Sequence, residues 1–369
     1  MKAPSLTLGI EEEYQIIDPE TGELRSYIQE ILNGDKVTIQ EIKPEFHQSI
    51  IEVGSTVCRT PAQLRDDVVR LRRTVYDLAA EAGVTIAAAG THPFSSWIDQ
   101  EITPLERYVR IQEDLQDIAR KNLIFGMHVH VGIEDRDFLI DAMNVARYFL
   151  PHVLCLSTSS PFWQGRRTGL KSYRSVVWRN FPRTGIPRVH KSWASYQGMV
   201  EAMVRCDSIP DASKIWWDLR PHPVYDTLEF RVCDICTRVD EAVCVAALFQ
   251  AIVAKVWKLR SDNLTFRIYP AELIEENKWR AVRYGLDGKL IDLGREEEKD
   301  ARELLHELID WFLDDVIDEL GSREQVEYAY TIMDRGTSAD RQIRRYEESG
   351  GDLKPVVDGV VEETLEGVR

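Results

Sequence analysis

Near the N-terminus, three consecutive acids interrupt an extended apolar run, Leu6-Thr7-Leu8-Gly9-Ile10-Glu11-Glu12-Glu13-Tyr14-Gln15-Ile16-Ile17. Successive side chains of a strand point to opposite faces. Glu11 and Glu13 therefore share a face with Gly9 and Gln15, while Leu8, Ile10, Tyr14 and Ile16 form the other with Glu12 among them. Two carboxylates side by side raise one another's pKa or disfavour the sheet, unless a divalent cation lies between them.

The same device recurs. In Met127-His128-Val129-His130-Val131-Gly132-Ile133 the valines and Met127 alternate with His128 and His130, so both imidazoles face one way. Thr227-Leu228-Glu229-Phe230-Arg231-Val232-Cys233 sets Glu229 and Arg231 opposite Leu228, Phe230 and Val232. Trp217-Asp218-Leu219-Arg220 does the same with Asp218 and Arg220, and Phe46 to Val53 carries Glu52. Strands with one apolar and one ionisable face predict a sheet whose back packs on helices and whose front is a polar cleft. A glutamate-rich set with histidine as its nitrogen donor suits Mg2+ or Mn2+ better than zinc.

The chain has a net charge of -16, yet Ala142 to Val200 contains no Asp or Glu. That stretch carries Arg147, Arg166, Arg167, Lys171, Arg174, Arg179, Arg183, Arg188 and Lys191 in segments punctuated by Gly and Pro. Such loops predict an anionic partner. The acidic remainder would repel a long polyanion, so a nucleotide or a substrate carboxylate fits better than nucleic acid. Cations beside a metal-binding acid cluster suit a triphosphate and phosphoryl transfer. There is no GxxxxGK[ST] and no kinase-type GxGxxG, so the phosphates would be held by metals and loops. A two-metal hydrolase of amide or phosphate substrates is the alternative, using the same acids and histidines without a nucleotide. Cys233-Asp234-Ile235-Cys236 has zinc or redox spacing but no second pair, and reads as packing.

Several elements that must position these residues announce themselves. Thr60-Pro61-Ala62-Gln63 is an N-cap, a first-turn Pro and a capping-box Gln, followed by Leu64, Val68, Leu71, Val75 and Leu78 up to Gly83. Further helices are expected from Thr103-Pro104 to about Asn122, Asp137 to Leu156, Asp240 to Leu259, Glu297 to Leu320, Arg323 to Asp334, Ser338 to Glu348 and Pro355 to Leu365. Strands and helices mix without regular alternation, which predicts an α+β fold with a mainly antiparallel sheet. No linker or repeat divides the 369 residues, so a single domain spanning 1–369 is expected, helical from about 271. No stretch reaches the ~18 uninterrupted apolar residues of a membrane span, and no signal-peptide core follows Met1. The expectation is a cytoplasmic protein without a membrane partner, with homo-oligomerisation left open.

Gly9-Ile10-Glu11-Glu12-Glu13, Gly126 to Gly132, Leu228 to Asp234 and Arg335-Gly336-Thr337-Ser338-Ala339-Asp340-Arg341-Gln342, in this order and spacing, resemble the bacterial carboxylate-amine ligases of the glutamate-cysteine ligase superfamily (type 2). The resemblance implies a glutamine synthetase-like fold whose concave polar face holds ATP and Mg2+. It implies ligation through an acyl phosphate, typically of the glutamate γ-carboxyl with an amine such as cysteine. By the same resemblance Glu11, Glu13, Glu45, Glu52, His128 and Glu229 correspond to metal ligands and Arg231 to the arginine that follows the transferred phosphoryl group. Arg174, Tyr173, Arg220 and His130 are the candidate contacts for substrate or nucleotide. Glu45 and Glu52 would face opposite ways on a regular strand, so Glu45 must precede the strand or a bulge must intervene.

Overall fold

A computed structural model describes residues 3–32 and 41–368. Its centre is a seven-stranded sheet built from β1 (Leu8–Ile17), β2 (Ile42–Pro44), β3 (Ile50–Gly54), β4 (Thr85–Ala87), β5 (Met127–Gly132), β6 (Leu219–Pro221) and β7 (Thr227–Phe230). The strand order is β6-β7-β5-β1-β3-β2, with β4 also on β1. Every pairing in this sheet is antiparallel, as the absence of regular alternation predicts.

Register turns a one-strand pattern into a two-dimensional site. Glu13 lies opposite Glu52, Glu11 opposite His128, and Gly9 opposite His130. His130 in turn faces Glu229, which faces Arg220. Directly paired residues share a face, so these acids, imidazoles and Arg220 form one polar surface. A slip of one residue would send them all to the other side.

Behind the sheet, the alternate residues Leu8, Ile10, Met127, Val129, Val131, Leu228 and Phe230 are buried. They pack against α1 (Pro61–Glu81) and the apolar α3 (Val239–Ser261), where the rings of Phe230 and Phe249 stack with centroids 4.0 Å apart. Helix α1 starts as its sequence dictates: the Gln63 amide donates to Thr60 Oγ1 at 3.2 Å, and the Gln63 side chain accepts from the Arg59 amide at 2.9 Å. Helix α3 is long and apolar enough by composition to cross a membrane, but most of its length is enclosed in the core. Glu12 belongs to this rear face. Its carboxylate is clamped by Arg72, both side chains being buried, and it accepts the Tyr14 hydroxyl. Arg72 also donates to the carbonyls of Thr237 (2.6 Å) and Cys236 (3.0 Å), which satisfies the buried guanidinium.

Departures from the expected helices have local causes. The helix expected from Thr103 runs over Glu106–Leu115 and breaks at Gln116, whose φ is 49°; the Thr103 hydroxyl serves the Glu45 carbonyl at 2.5 Å instead of a cap. The one expected to run unbroken to Leu156 stops at Ala146, passes through a short 3-10 turn and resumes at Leu150–Ser157. Residues Glu297–Asp300, expected to be helical, instead form the second strand of a hairpin with Lys289–Asp292. The turn there is fastened by Asp292, whose Oδ1 accepts the Gly294 amide at 2.9 Å. The C-terminal α5 (Ser338–Glu348) and α6 (Lys354–Thr364) fall where expected.

Candidate active site

In front of the sheet lies a cavity of about 320 Å³. One wall is acidic, formed by Glu13, Glu45 and Glu52. Glu45 lies just beyond β2 and not within β3, which resolves its seven-residue offset from Glu52. Its Oε2 accepts the Tyr108 hydroxyl at 2.8 Å, while Glu13 accepts the Gly126 amide at 2.5 Å. Burial, then the charge of Glu45, pushes Glu13 up to about 7. Burial also raises Glu45, and burial with the charges of Glu11, Glu45 and Glu13 raises Glu52. Three half-buried carboxylates held against their own ionisation form a surface that a cation would relieve.

The opposite wall is cationic. Glu229 sits between two arginines: Arg220 donates through Nε at 2.7 Å and NH2 at 3.2 Å, and Arg231 donates through NH1. Burial opposes ionisation of Glu229, but Arg231 and then Arg220 outweigh it and hold the carboxyl far below the usual range. Arg231 lies over the Trp178 ring at 5.6 Å, and its buried Nε has no protein partner. Arg174 reaches the same cavity from α2 (Tyr173–Trp178); its NH2 donates to the Arg231 carbonyl at 3.3 Å, and its Nε is likewise buried and unpartnered. Two guanidinium groups that line one cavity and each keep a buried donor without a protein partner call for an anionic acceptor.

Donor atoms of Glu11 and Glu229, which line the cavity, lie with those of His130 within 4.8 Å of one another. The His130 Nδ1 is 3.1 Å from the Thr227 hydroxyl, which fixes the ring, and Nε2 is buried with no hydrogen-bond partner, 3.8 Å from Glu11 Oε1. An oriented imidazole presenting a free nitrogen to two carboxylates fits a divalent cation, and the oxygen-rich set suits Mg2+ or Mn2+.

Several sequence expectations change here. Of the two histidines, His130 belongs to this cluster, while His128, expected among the ligands, lines the cavity with Glu11 and Glu229. The His128 Nδ1 is spent 3.0 Å from Glu11 and lies 3.4 Å from Arg231 NH1, and burial followed by Arg231 pushes it down to about 4. Arg220, expected to meet substrate, has all three guanidinium nitrogens engaged. NH1 serves the carbonyls of Ser213 (3.0 Å) and Ile215 (2.6 Å), so it holds Glu229. Tyr173 does not line the cavity; its ring packs on Trp163 at 5.4 Å, because α2 turns Arg174 inward. Most of the cationic stretch is spent within the chain: Arg167 pairs with Glu347, Arg179 with Glu275, Arg188 with Glu272 and Lys171 with Asp340. The acids missing from the stretch thus come from α4 (Ala271–Tyr284) and α5. Sequence reasoning missed the aromatic wall of Tyr108, Trp178, Phe181 and Trp216; the helix bearing Tyr108 was legible, but not the face it turns to the acids. Cys233 and Cys236 are buried among apolar residues, with burial pushing the Cys233 thiol up to about 12 and Cys236 also upward.

Comparison with known proteins places this geometry in context. The model of a family described as glutamate-cysteine ligase family 2 matches residues 7–359. A relative from Herpetosiphon aurantiacus, named "Putative glutamate--cysteine ligase 2", is 56% identical over 98% of this chain and 94% of its own length. A relative of the same name from Roseiflexus castenholzii is 58% identical, covering 98% and 95%. Among solved structures, the glutamate–cysteine ligase of Francisella tularensis in complex with AMP superposes with a TM-score of 0.73 at 13% identity, covering all of this chain and 90% of that one. A bifunctional glutathione synthetase from Pasteurella multocida gives the same TM-score at 17% identity, over 98% of this chain and 52% of its own. These proteins are ligases or a synthetase by name, and the two-metal hydrolase reading finds no support among them.

Proposed function

The chain belongs to glutamate–cysteine ligase family 2, and from that premise we propose that it is an ATP-dependent carboxylate–amine ligase working through an acyl phosphate. Its acid would be glutamate, reacting at the γ-carboxyl with an amine such as cysteine, on a glutamine synthetase-like sheet in a single cytoplasmic domain. The chemistry explains the need for ATP. A carboxylate has no leaving group for an amine to displace at neutral pH, and phosphorylation provides one.

The observation that carries this reading is the division of one cavity into an acid wall and a guanidinium wall. Glu11, Glu13, Glu45, Glu52, Glu229 and the histidines His128 and His130 would hold Mg2+ or Mn2+, which when bound neutralises phosphate charge. Arg220 keeps Glu229 ionised and oriented as a ligand. Arg231 would follow the transferred phosphoryl group, and Arg174, whose Nε has no protein partner, would meet a carboxylate or phosphate oxygen. The protein thus contributes position and charge more than covalent chemistry.

Screening acids and amines for Mg2+-dependent phosphate release from ATP tests the proposal. Release that requires both an acid and an amine supports it. Amide or phosphate-ester hydrolysis without ATP would overturn it in favour of a hydrolase.

A further inference from the structure

Asp234 ends the segment Leu228 to Asp234, and the chemistry above does not use it. Its carboxyl is fully buried. Oδ2 accepts the Ser160 hydroxyl at 2.6 Å and the Ser159 amide at 2.9 Å, and Oδ1 accepts the Ser172 hydroxyl at 2.7 Å. Having given its one proton to Asp234, Ser160 Oγ accepts the backbone N–H of Arg174 at 3.0 Å. Ser172 immediately precedes α2, so both hydroxyls act on the turn that launches Arg174 into the cavity. On the far side, Gly90 lies so near that a Cβ there would come within 2.8 Å of Asp234 Cγ. The carboxyl is therefore clamped between Gly90 and the start of α2.

The other end of this relay is equally tight. A Cβ on Gly126 would fall 2.5 Å from Arg174 NH2, so the guanidinium lies directly against that backbone and a small displacement of α2 would move it. Three donors converge on Asp234, which suits an acceptor-only carboxylate. An amide would turn an NH2 toward one of them. A negative charge close behind Arg174 also offsets the cost of burying a guanidinium whose Nε has no protein partner.

We propose that Asp234 is a positioning residue which, through Ser160 and Ser172, holds Arg174 against Gly126 with its free Nε presented to an anionic group of the substrate or nucleotide. The inference rests on the reading of Arg174 as an anion contact in a ligase.

A double-mutant cycle separates positioning from general support. Asp234→Asn, Arg174→Lys and the double variant would be assayed with MgATP, L-glutamate and L-cysteine for kcat and KM. Thermal shifts induced by MgATP and by L-glutamate would be measured in parallel. Each single variant is expected to lower kcat/KM, or to weaken ligand-induced stabilisation, by about tenfold in apparent affinity. The double variant should be no worse than Arg174→Lys alone. Additive losses, or an unaffected Asp234→Asn, overturn the proposal. Should Asp234→Asn not fold, Ser160→Ala breaks the same relay and must show the same non-additivity. An inactive wild type with intact ligand shifts would count against the glutamate–cysteine chemistry, while the cycle read through those shifts still decides the role of Asp234.

Discussion

Glu12 and Glu13 are neighbours in sequence with opposite fates, and replacing each by Gln makes a sharp prediction. The Glu12–Arg72 pair is buried, with side-chain exposures of 1% and 0%. Removing one partner leaves a buried guanidinium uncompensated, which costs about 3–5 kcal/mol. Unfolding entropy of roughly 2.1 cal/mol/K per residue gives about 0.8 kcal/mol/K for a chain of this length, so Glu12→Gln should lower Tm by about 4–6 °C. Glu13 behaves otherwise. Burial and Glu45 hold its folded pKa at about 7, above the 4.5 of a free glutamate side chain. The folded state therefore binds a proton that the unfolded state has released, and in metal-free protein this group is destabilising above pH 7, the penalty fading as pH falls toward 4.5. Glu13→Gln should raise the Tm of chelator-treated protein at pH 8 and leave it near wild type at pH 5. The same change removes a candidate metal ligand and should lower kcat at least about a hundredfold. Differential scanning fluorimetry at the two pH values, with turnover under saturating Mg2+, reads both effects. An unchanged Tm in Glu12→Gln together with lost turnover would place Glu12 on the cavity face and refute the assignment of faces.

Arg231→Lys keeps the charge but loses the planar fork; with charge-assisted hydrogen bonds worth about 1.5–3 kcal/mol, steady-state kinetics should show kcat down by at least about tenfold and little change in the KM for ATP. A raised KM with kcat spared would make Arg231 a ground-state nucleotide contact. Gly126→Ala puts a methyl group where Arg174 NH2 lies, and kcat/KM should fall while circular dichroism stays native; unchanged kinetics would mean the guanidinium position is immaterial. Replacing Cys233 and Cys236 together by Ala should leave turnover largely intact, and stoichiometric zinc in the wild type that disappears in the variant would contradict their packing role.

Alternation within single strands revealed which face each acid and histidine would occupy, because a strand's period is a local property. It could not reveal register across strands, and register sets His130 opposite Glu229 and His128 opposite Glu11. The cations between Ala142 and Val200 looked available because their partners lie far along the chain, Glu272 for Arg188 and Glu347 for Arg167. Capped helices such as α1 were legible from their own residues. The hairpin from Lys289 to Asp300 was not, since its second strand is the wholly charged Glu297-Glu298-Lys299-Asp300, which shows no apolar alternation. The resemblance to a known family supplied what periodicity could not, linking acids on separate strands to one metal-dependent reaction.

The central claim is that a substrate carboxylate is phosphorylated before the amine attacks. Phosphorylation at a carboxylate oxygen leaves that oxygen in the released phosphate. With glutamate labelled by 18O in its γ-carboxyl, plus MgATP and the amine, mass spectrometry of the inorganic phosphate should find one labelled oxygen for each amide formed, together with ADP. Unlabelled phosphate accompanying amide formation, or AMP and pyrophosphate as the nucleotide products, would contradict the account.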